Sequence, residues 1–165
     1  MRSMKRTLVA VALVAVAGVA ASATEEKTKG SGAFEKLKAL AGEWRTKTPD
    51  GTAHKVTYRL VSSGTAVMEE LEAGGMVTVY HQDGDSLLLT HYCAGNNQPR
   101  MRAKPAGGNT LDFRFEDVSN LPDPKAQHMR HMSLTLKDAD HISQQWTFSK
   151  AGEEELHSFE LTRVK

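Results

Sequence analysis

The densest group of polar side chains in the sequence is His81, Asp83, Asp85, His91, Tyr92, Asn96, Asn97, Gln98 and Arg100. His91, the amides of Asn97 and Gln98, and the Arg100 guanidinium could converge at one opening. An imidazole, two amides and a bidentate cation suit the carboxylate or carbonyl of an otherwise apolar ligand. The plainer alternative is that Asn97 and Gln98 tie down a turn while His91 is a satisfied core histidine. If the residues flanking Gln82 to Asp85 form a hairpin, His81 lies beside its turn and His91 near its far end. They are then separated by several rises of about 3.3 Å and cannot share a metal within that hairpin.

Other constellations are thinner. Asp83-Gly84-Asp85 supplies two carboxylates, whereas calcium takes six to eight oxygens from a longer loop, so a hairpin turn is expected there. The seven histidines stand at 54, 81, 91, 128, 131, 141 and 157. None is spaced His-x-x-x-His, there is no Cys-x-x-Cys, and no dedicated zinc site is expected. The sequence has no Gly-x-Ser-x-Gly elbow and no phosphate-binding glycine loop. Glu69 shares a strand face with Leu71, opposite Glu70 and Glu72, and a buried Glu69 beside His91 would be a general acid or base. Without a fuller constellation, no catalytic residue is assigned.

The elements that must position these groups follow from periodicity. Phe34, Leu37, Leu40 and Ala41 keep helical spacing and stop at Gly42. Beyond Gly42 the period becomes two, and ten short strands are expected: 43–48, 54–62, 65–73, 76–82, 86–93, 100–104, 110–116, 129–136, 141–149 and 154–164. Turn residues such as Pro49-Asp50-Gly51, Gly74-Gly75 and Gly107-Gly108-Asn109 separate them. Sequential strands joined by short turns make an antiparallel meander, which loses its exposed edges by closing. The expected fold is therefore all-β, an up-and-down barrel with a short N-terminal helix; a two-sheet sandwich is the alternative. A barrel of this strand number is wide enough to hold an internal cavity.

Alternation assigns inward faces to Val56, Tyr58 and Leu60, to Leu87, Leu89, His91 and Cys93, and to Leu111, Phe113 and Phe115. It does the same for Met132, Leu134 and Leu136, for Ile142, Gln144, Trp146 and Phe148, and for His157, Phe159, Leu161 and Arg163. Gln144 and Arg163 are thus polar groups on apolar faces, and each needs a partner.

Length and charge bound the class. The chain has 165 residues with 39% hydrophobic and 25% charged side chains, enough for one domain with one core. Arg2, Lys5 and Arg6 precede an apolar run from Leu8 to Ala20, then Ala21-Ser22-Ala23. This pattern predicts a signal peptide over 1–23, cleaved before Thr24, and a periplasmic or secreted product. The run is shorter than the about 20 residues that span a bilayer, so no stable membrane anchor is expected. A flexible lead-in over 24–32 and a single barrel domain over 33–165 complete the organisation. Cleavage removes three of the 21 basic side chains and leaves 18 against 20 acidic ones, a net charge of −2. No basic footprint for nucleic acid remains. Cys93 is the single cysteine, expected to be buried as a small hydrophobe; pairing between chains is the alternative.

A short helix, then Gly42-Glu43-Trp44 at the head of the first strand, then a meander, resembles the calycin superfamily, whose lipocalins carry Gly-x-Trp at this place. The resemblance implies that Trp44 closes one end of the barrel and that Arg163 packs across its ring. The ten-stranded nitrobindin-like calycins are a nearer likeness, and imply haem held by a histidine of the closing strand, here His157. Their longer Gly-x-Trp-x-Gly-x-Gly signature is not matched, because Arg45, Thr46, Lys47 and Thr48 follow Trp44. The chain also resembles a group of secreted bacterial proteins that share Tyr80-His81, Asp83-Gly84-Asp85, Thr90-His91-Tyr92-Cys93 and Asn97-Gln98-Pro99-Arg100-Met101.

Together these readings predict a secreted barrel holding a small apolar molecule or a carboxylate. Tyr58, Leu89, His91, Phe113, Phe115, Trp146, His157 and Phe159 would line it, with Asn97, Gln98 and Arg100 at its mouth. A haem-binding or enzymatic barrel using His157 or His91 is the second reading. A filled barrel acting through its surface is the third.

Overall fold

In a computed structural model describing residues 29–47, 51–105 and 107–165, the chain forms one helix and ten strands. The expected signal peptide and most of the lead-in lie outside the described residues. The helix α1 (Lys29–Lys38) starts earlier than its apolar spacing indicated, so the last four residues of the expected lead-in are helical. The strands are β1 (Gly42–Lys47), β2 (Ala53–Val61), β3 (Ala66–Leu71), β4 (Met76–Asp83) and β5 (Ser86–Tyr92). They continue as β6 (Gln98–Ala103), β7 (Thr110–Ser119), β8 (His128–Leu136), β9 (His141–Lys150) and β10 (Glu153–Arg163). Every neighbouring pair is antiparallel, and β10 returns to pair with β1, with Trp44 opposite Arg163. The sheet is thus a closed barrel with no free edge, as the meander of short turns required.

The two ends of the barrel are built differently. Ala33, Phe34, Leu37 and Leu40 project one apolar face of the helix and its exit into the core, and α1 contacts β4 and β5. Trp44 is fully buried just beyond and donates its indole N–H to the Leu40 carbonyl at 2.8 Å. The Arg163 guanidinium lies 4.3 Å from the Trp44 ring centroid and donates to the carbonyls of Ala39 and Ala41, each at 2.9 Å. One side chain thereby satisfies the helix exit and stacks on the indole that plugs the barrel. Gly42 makes room for it: its φ is +133°, and an added Cβ would stand 3.0 Å from Arg163 Nη1. The Lys36 ammonium donates to the Gly108 carbonyl and fastens the β6–β7 turn to the same end.

The opposite end carries the β1–β2, β3–β4, β5–β6, β7–β8 and β9–β10 connections. The longest, 120–127, is tied across the rim. Asn97 Nδ2 donates to the Gln127 carbonyl at 2.8 Å, Ala151 N to the Lys125 carbonyl at 3.1 Å, and Asn120 Nδ2 to the Asn96 carbonyl.

Most expected inward faces are inward. Leu87, Leu89, Phe113, Met132, Leu134 and Ile142 are fully buried. His157 is exposed at the rim, and three further departures have local causes. Leu60 is exposed because it sits where β2 leaves the barrel toward its turn, and Cys93, just past the end of β5, is only half-buried. The third is a register shift between Met129 and His131 in β8. It makes Arg130 an extra residue, so that Met129 and Met132, three apart, both turn inward.

Candidate functional site

The open end contains a cavity of about 300 Å³, at the small end of the ligand-pocket range of about 300 to 1,000 Å³. Its walls come from β1 to β5 on one side and β8 to β10 on the other. Val56, Leu71, Met76, Met129, Phe148 and Leu161 make much of the apolar surface, with Trp146 and Phe159. Gln127, Glu155 and His157 stand toward the rim, and Thr46, Glu69, Thr78, His91 and Gln144 are the buried polar members. No arginine or lysine lines it among the described residues.

The buried polar groups other than Thr46 come together because the registers put Glu69, Thr78 and His91 in one row. Glu69 of β3 pairs with Thr78 of β4, and Thr78 pairs with His91 of β5. All three alternate onto the inner face. The Tyr80 hydroxyl donates to Glu69 Oε2 at 2.5 Å. Gln144 Nε2, from across the barrel, donates to Glu69 Oε1 at 2.8 Å and to the Tyr58 hydroxyl at 2.6 Å. Gln144 Oε1 accepts the Trp146 indole N–H at 3.1 Å. The polar Gln144 on an apolar face thus has its partners, and so has Arg163 at the other end.

Burial sets the charge states. Desolvation raises the Glu69 pKa above the ordinary carboxyl value, although hydrogen bonds from Tyr80, Gln144 and Tyr58 pull the other way. Burial also lifts the Tyr58 and Tyr80 hydroxyls well above 10, with the neighbouring Glu69 adding to the shift, so both stay protonated. His91 is 5% exposed, and desolvation lowers its pKa from 6.5 to about 4, so its imidazole is neutral near pH 7. Its Nδ1 is 2.9 Å from Thr78 Oγ1, and its ring lies 4.9 Å from the Trp146 ring.

Two cavity-lining atoms have no protein partner although they are buried, His91 Nε2 and Thr46 Oγ1. Leaving such a group unsatisfied costs about 1–3 kcal/mol, so a wall that carries two is suited to a partner from outside the chain.

Of the residues expected from the sequence, the fold brings His91, Trp146, His157 and Phe159 together around this cavity. Tyr58 lies behind the wall and reaches it through Gln144, whereas Leu89 and Phe113 belong to the filled core. Phe115 packs instead between the His128 ring, 5.5 Å away, and the Arg130 guanidinium, 4.9 Å away. Arg100 corrects the expected mouth. It lies on the outer face of β6, where Nε donates to Asp117 Oδ1 at 2.6 Å, and it is spent on an exposed ion pair. Asn97 holds the Gln127 carbonyl, and Gln98 accepts from the Ser119 hydroxyl at 3.0 Å. Both fasten the rim, and neither lines the cavity. Glu69 is buried as the acid/base reading needed, but its oxygens are taken by Tyr80 and Gln144, with Thr78 between it and His91.

His157 is on the rim rather than inside. Its side chain is 43% exposed, Nε2 is 3.4 Å from Glu155 Oε1, and its ring meets Phe148 edge-on at 6.1 Å. A haem held there does not fit these residues: the imidazole nitrogen faces a carboxylate, and no cation in the wall could meet propionates. Asp83 faces the Arg102 guanidinium at 2.7 Å, so the Asp-Gly-Asp turn is an ion-paired hairpin. Among the described residues no three His, Cys, Asp or Glu side chains are grouped to hold a metal, and no helix is long and apolar enough to cross a membrane.

Sequence reasoning missed Thr46, Met76, Thr78, Gln127, Met129 and Glu155. Thr78 was legible from alternation with Tyr80. Met129 was not, because the irregularity that turns it inward has no signature in the period. No protein-family model matches the chain, and no curated protein matches it.

Proposed function

We propose that the chain is a calycin-like carrier that binds a small, largely apolar molecule in the open end of its barrel, outside the cytoplasm, after removal of residues 1–23. One observation carries this reading: an apolar cavity of ligand size whose wall includes two buried polar atoms with no partner in the protein. A barrel filled for stability alone would close over such a space, because interiors pack densely and each unpaired polar atom is a cost. The secreted location rests on the basic head, apolar run and small-residue site of the leader.

The test is native mass spectrometry, with an absorption spectrum, of the mature chain purified from an exported preparation, followed by titration with small apolar probes. The expected result is a mature chain beginning at Thr24 and a saturable change in Trp146 fluorescence that is lost in Trp146→Phe. Bare chain mass together with no saturable response across the probes would overturn the reading in favour of a filled barrel acting through its surface.

A further inference from the structure

The polar groups behind the cavity bond among themselves and leave one edge of an imidazole unused. The Tyr80 hydroxyl gives its proton to Glu69 Oε2. Thr78 Oγ1 lies 2.9 Å from His91 Nδ1, and either atom can be the donor. A neutral imidazole has a single N–H, so Nε2 offers the cavity a lone pair or an N–H, and it is the buried atom of the cavity wall that no protein group reaches.

The other polar atoms of the wall are already committed. Both Glu69 oxygens accept, the Gln144 amide gives two bonds and accepts one, and the Trp146 N–H is donated to Gln144. Among the buried polar atoms of the wall only Thr46 Oγ1 remains, and it can give its proton to an oxygen or take one. The cavity thus offers one imidazole nitrogen and one hydroxyl in an apolar enclosure that has no lysine or arginine among the described residues and has Gln127, Glu155 and His157 toward its rim. A carboxylate would enter without a cation to meet it. An ammonium would lose its hydration with no free carboxylate oxygen inside.

Resting on the carrier reading above, we infer that the ligand is an uncharged apolar molecule bearing a hydroxyl, an alcohol or phenol, whose hydroxyl, able to give or take a proton, pairs with His91 Nε2. Burial keeps the imidazole neutral near pH 7, so the site asks for no countercharge. The size of the cavity limits the molecule to about one or two fused rings, since it is at the lower end of the pocket range.

Calorimetry with 1-naphthol, 1-methoxynaphthalene and 1-naphthoate on the mature chain separates the outcomes. These probes share one apolar body and differ in whether they bring a neutral donor, no donor or a charge. The expected result is 1-naphthol binding at least about tenfold more tightly than 1-methoxynaphthalene, with 1-naphthoate weakest. In His91→Phe the naphthol preference should fall to about twofold or less while methoxynaphthalene still binds. Equal affinity for the first two in the unaltered protein, or tightest binding by naphthoate, would overturn this inference and leave the carrier reading standing; no binding of any probe would overturn both. Histidine 15N NMR of the unaltered protein gives a check that needs no variant. The His91 Nε2 resonance should shift when 1-naphthol is added, whereas a resonance that naphthol leaves unmoved overturns the inference.

Discussion

At the end where α1 docks, the barrel interior is packed solid around Trp44, Leu37, Leu87 and Phe113, and the Arg163 guanidinium that stacks there spends its donors on the carbonyls of Ala39, Ala41 and Ala139. At the other end the same inward alternation delivers Thr46, Thr78, His91 and Glu69, and the space between them stays open. Both ends bury polar groups. They differ in whether the protein completes the hydrogen bonding itself: Arg163 finds three carbonyls, while His91 Nε2 and Thr46 Oγ1 find none. The packed end therefore supplies the stability that lets the open end carry unsatisfied atoms, a division expected where strain and unpaired groups concentrate at binding sites.

The largest expected effect tests the packed end. Trp44→Ala removes a fully buried indole together with its contact to Arg163 and its edge-on contact with Tyr58, whose ring centroid is 6.2 Å away. It should cost about 3–5 kcal/mol in urea unfolding. A loss below about 1 kcal/mol would mean that this end is not the stabilising one.

The next effect is a pH dependence belonging to the open end. His91 has its pKa lowered from 6.5 to about 4 in the folded protein. The unfolded chain therefore binds more protons between those values, and stability falls as pH drops from about 6.5 to about 4. The full effect is up to about 3 kcal/mol. Glu69, raised by burial, acts with the opposite sign: it favours the folded state at low pH, and that contribution is lost as pH rises from the unfolded value near 4.5. Urea midpoints measured from pH 4 to 7 should lose the first slope in His91→Phe and the second in Glu69→Gln. Unchanged slopes in both would remove the charge assignments of the network.

Gly42→Ala sharpens the comparison at the packed end. A side chain there must adopt a φ of +133° and would press on Arg163 Nη1 at 3.0 Å. The expected cost is about 1–2 kcal/mol, read from the urea midpoint, with probe affinity unchanged. The smallest effect is expected for Arg100→Ala. Its outward ion pair with Asp117 is exposed, so neither the urea midpoint nor 1-naphthol affinity should move measurably. A clear loss of affinity would return Arg100 to the mouth of the site.

What was legible in the sequence, and what was not, divides along the same line. The ten strands and their order were readable because period-two alternation and turn residues are local signals, and the inward phase of Arg163 was readable in the same way, whereas its place across the Trp44 ring came from the calycin resemblance. Within the site, His91, Trp146 and Phe159 were readable from inward phase. The mouth was not. Arg100 and the 96–100 turn form the densest polar stretch, yet Arg100 points outward, and the cavity is walled instead by β8 to β10, including Met129, whose phase is reversed by the shift at Arg130.

Alternation and turn chemistry therefore specified an all-β meander and most of its inward residues, because both are local signals, while the choice of a closed barrel over a two-sheet sandwich rests on the pairing of β10 with β1. Only the tertiary structure decided which inward residues are packed and which surround open space. That outcome depends on strand registers and on contacts across the barrel, such as Gln144 reaching Tyr58, 86 positions away in sequence. It also decided that His91 Nε2 stands buried at the cavity wall with no protein partner, because only the folded sheet sets Thr78 against the other ring nitrogen and leaves this one facing the space.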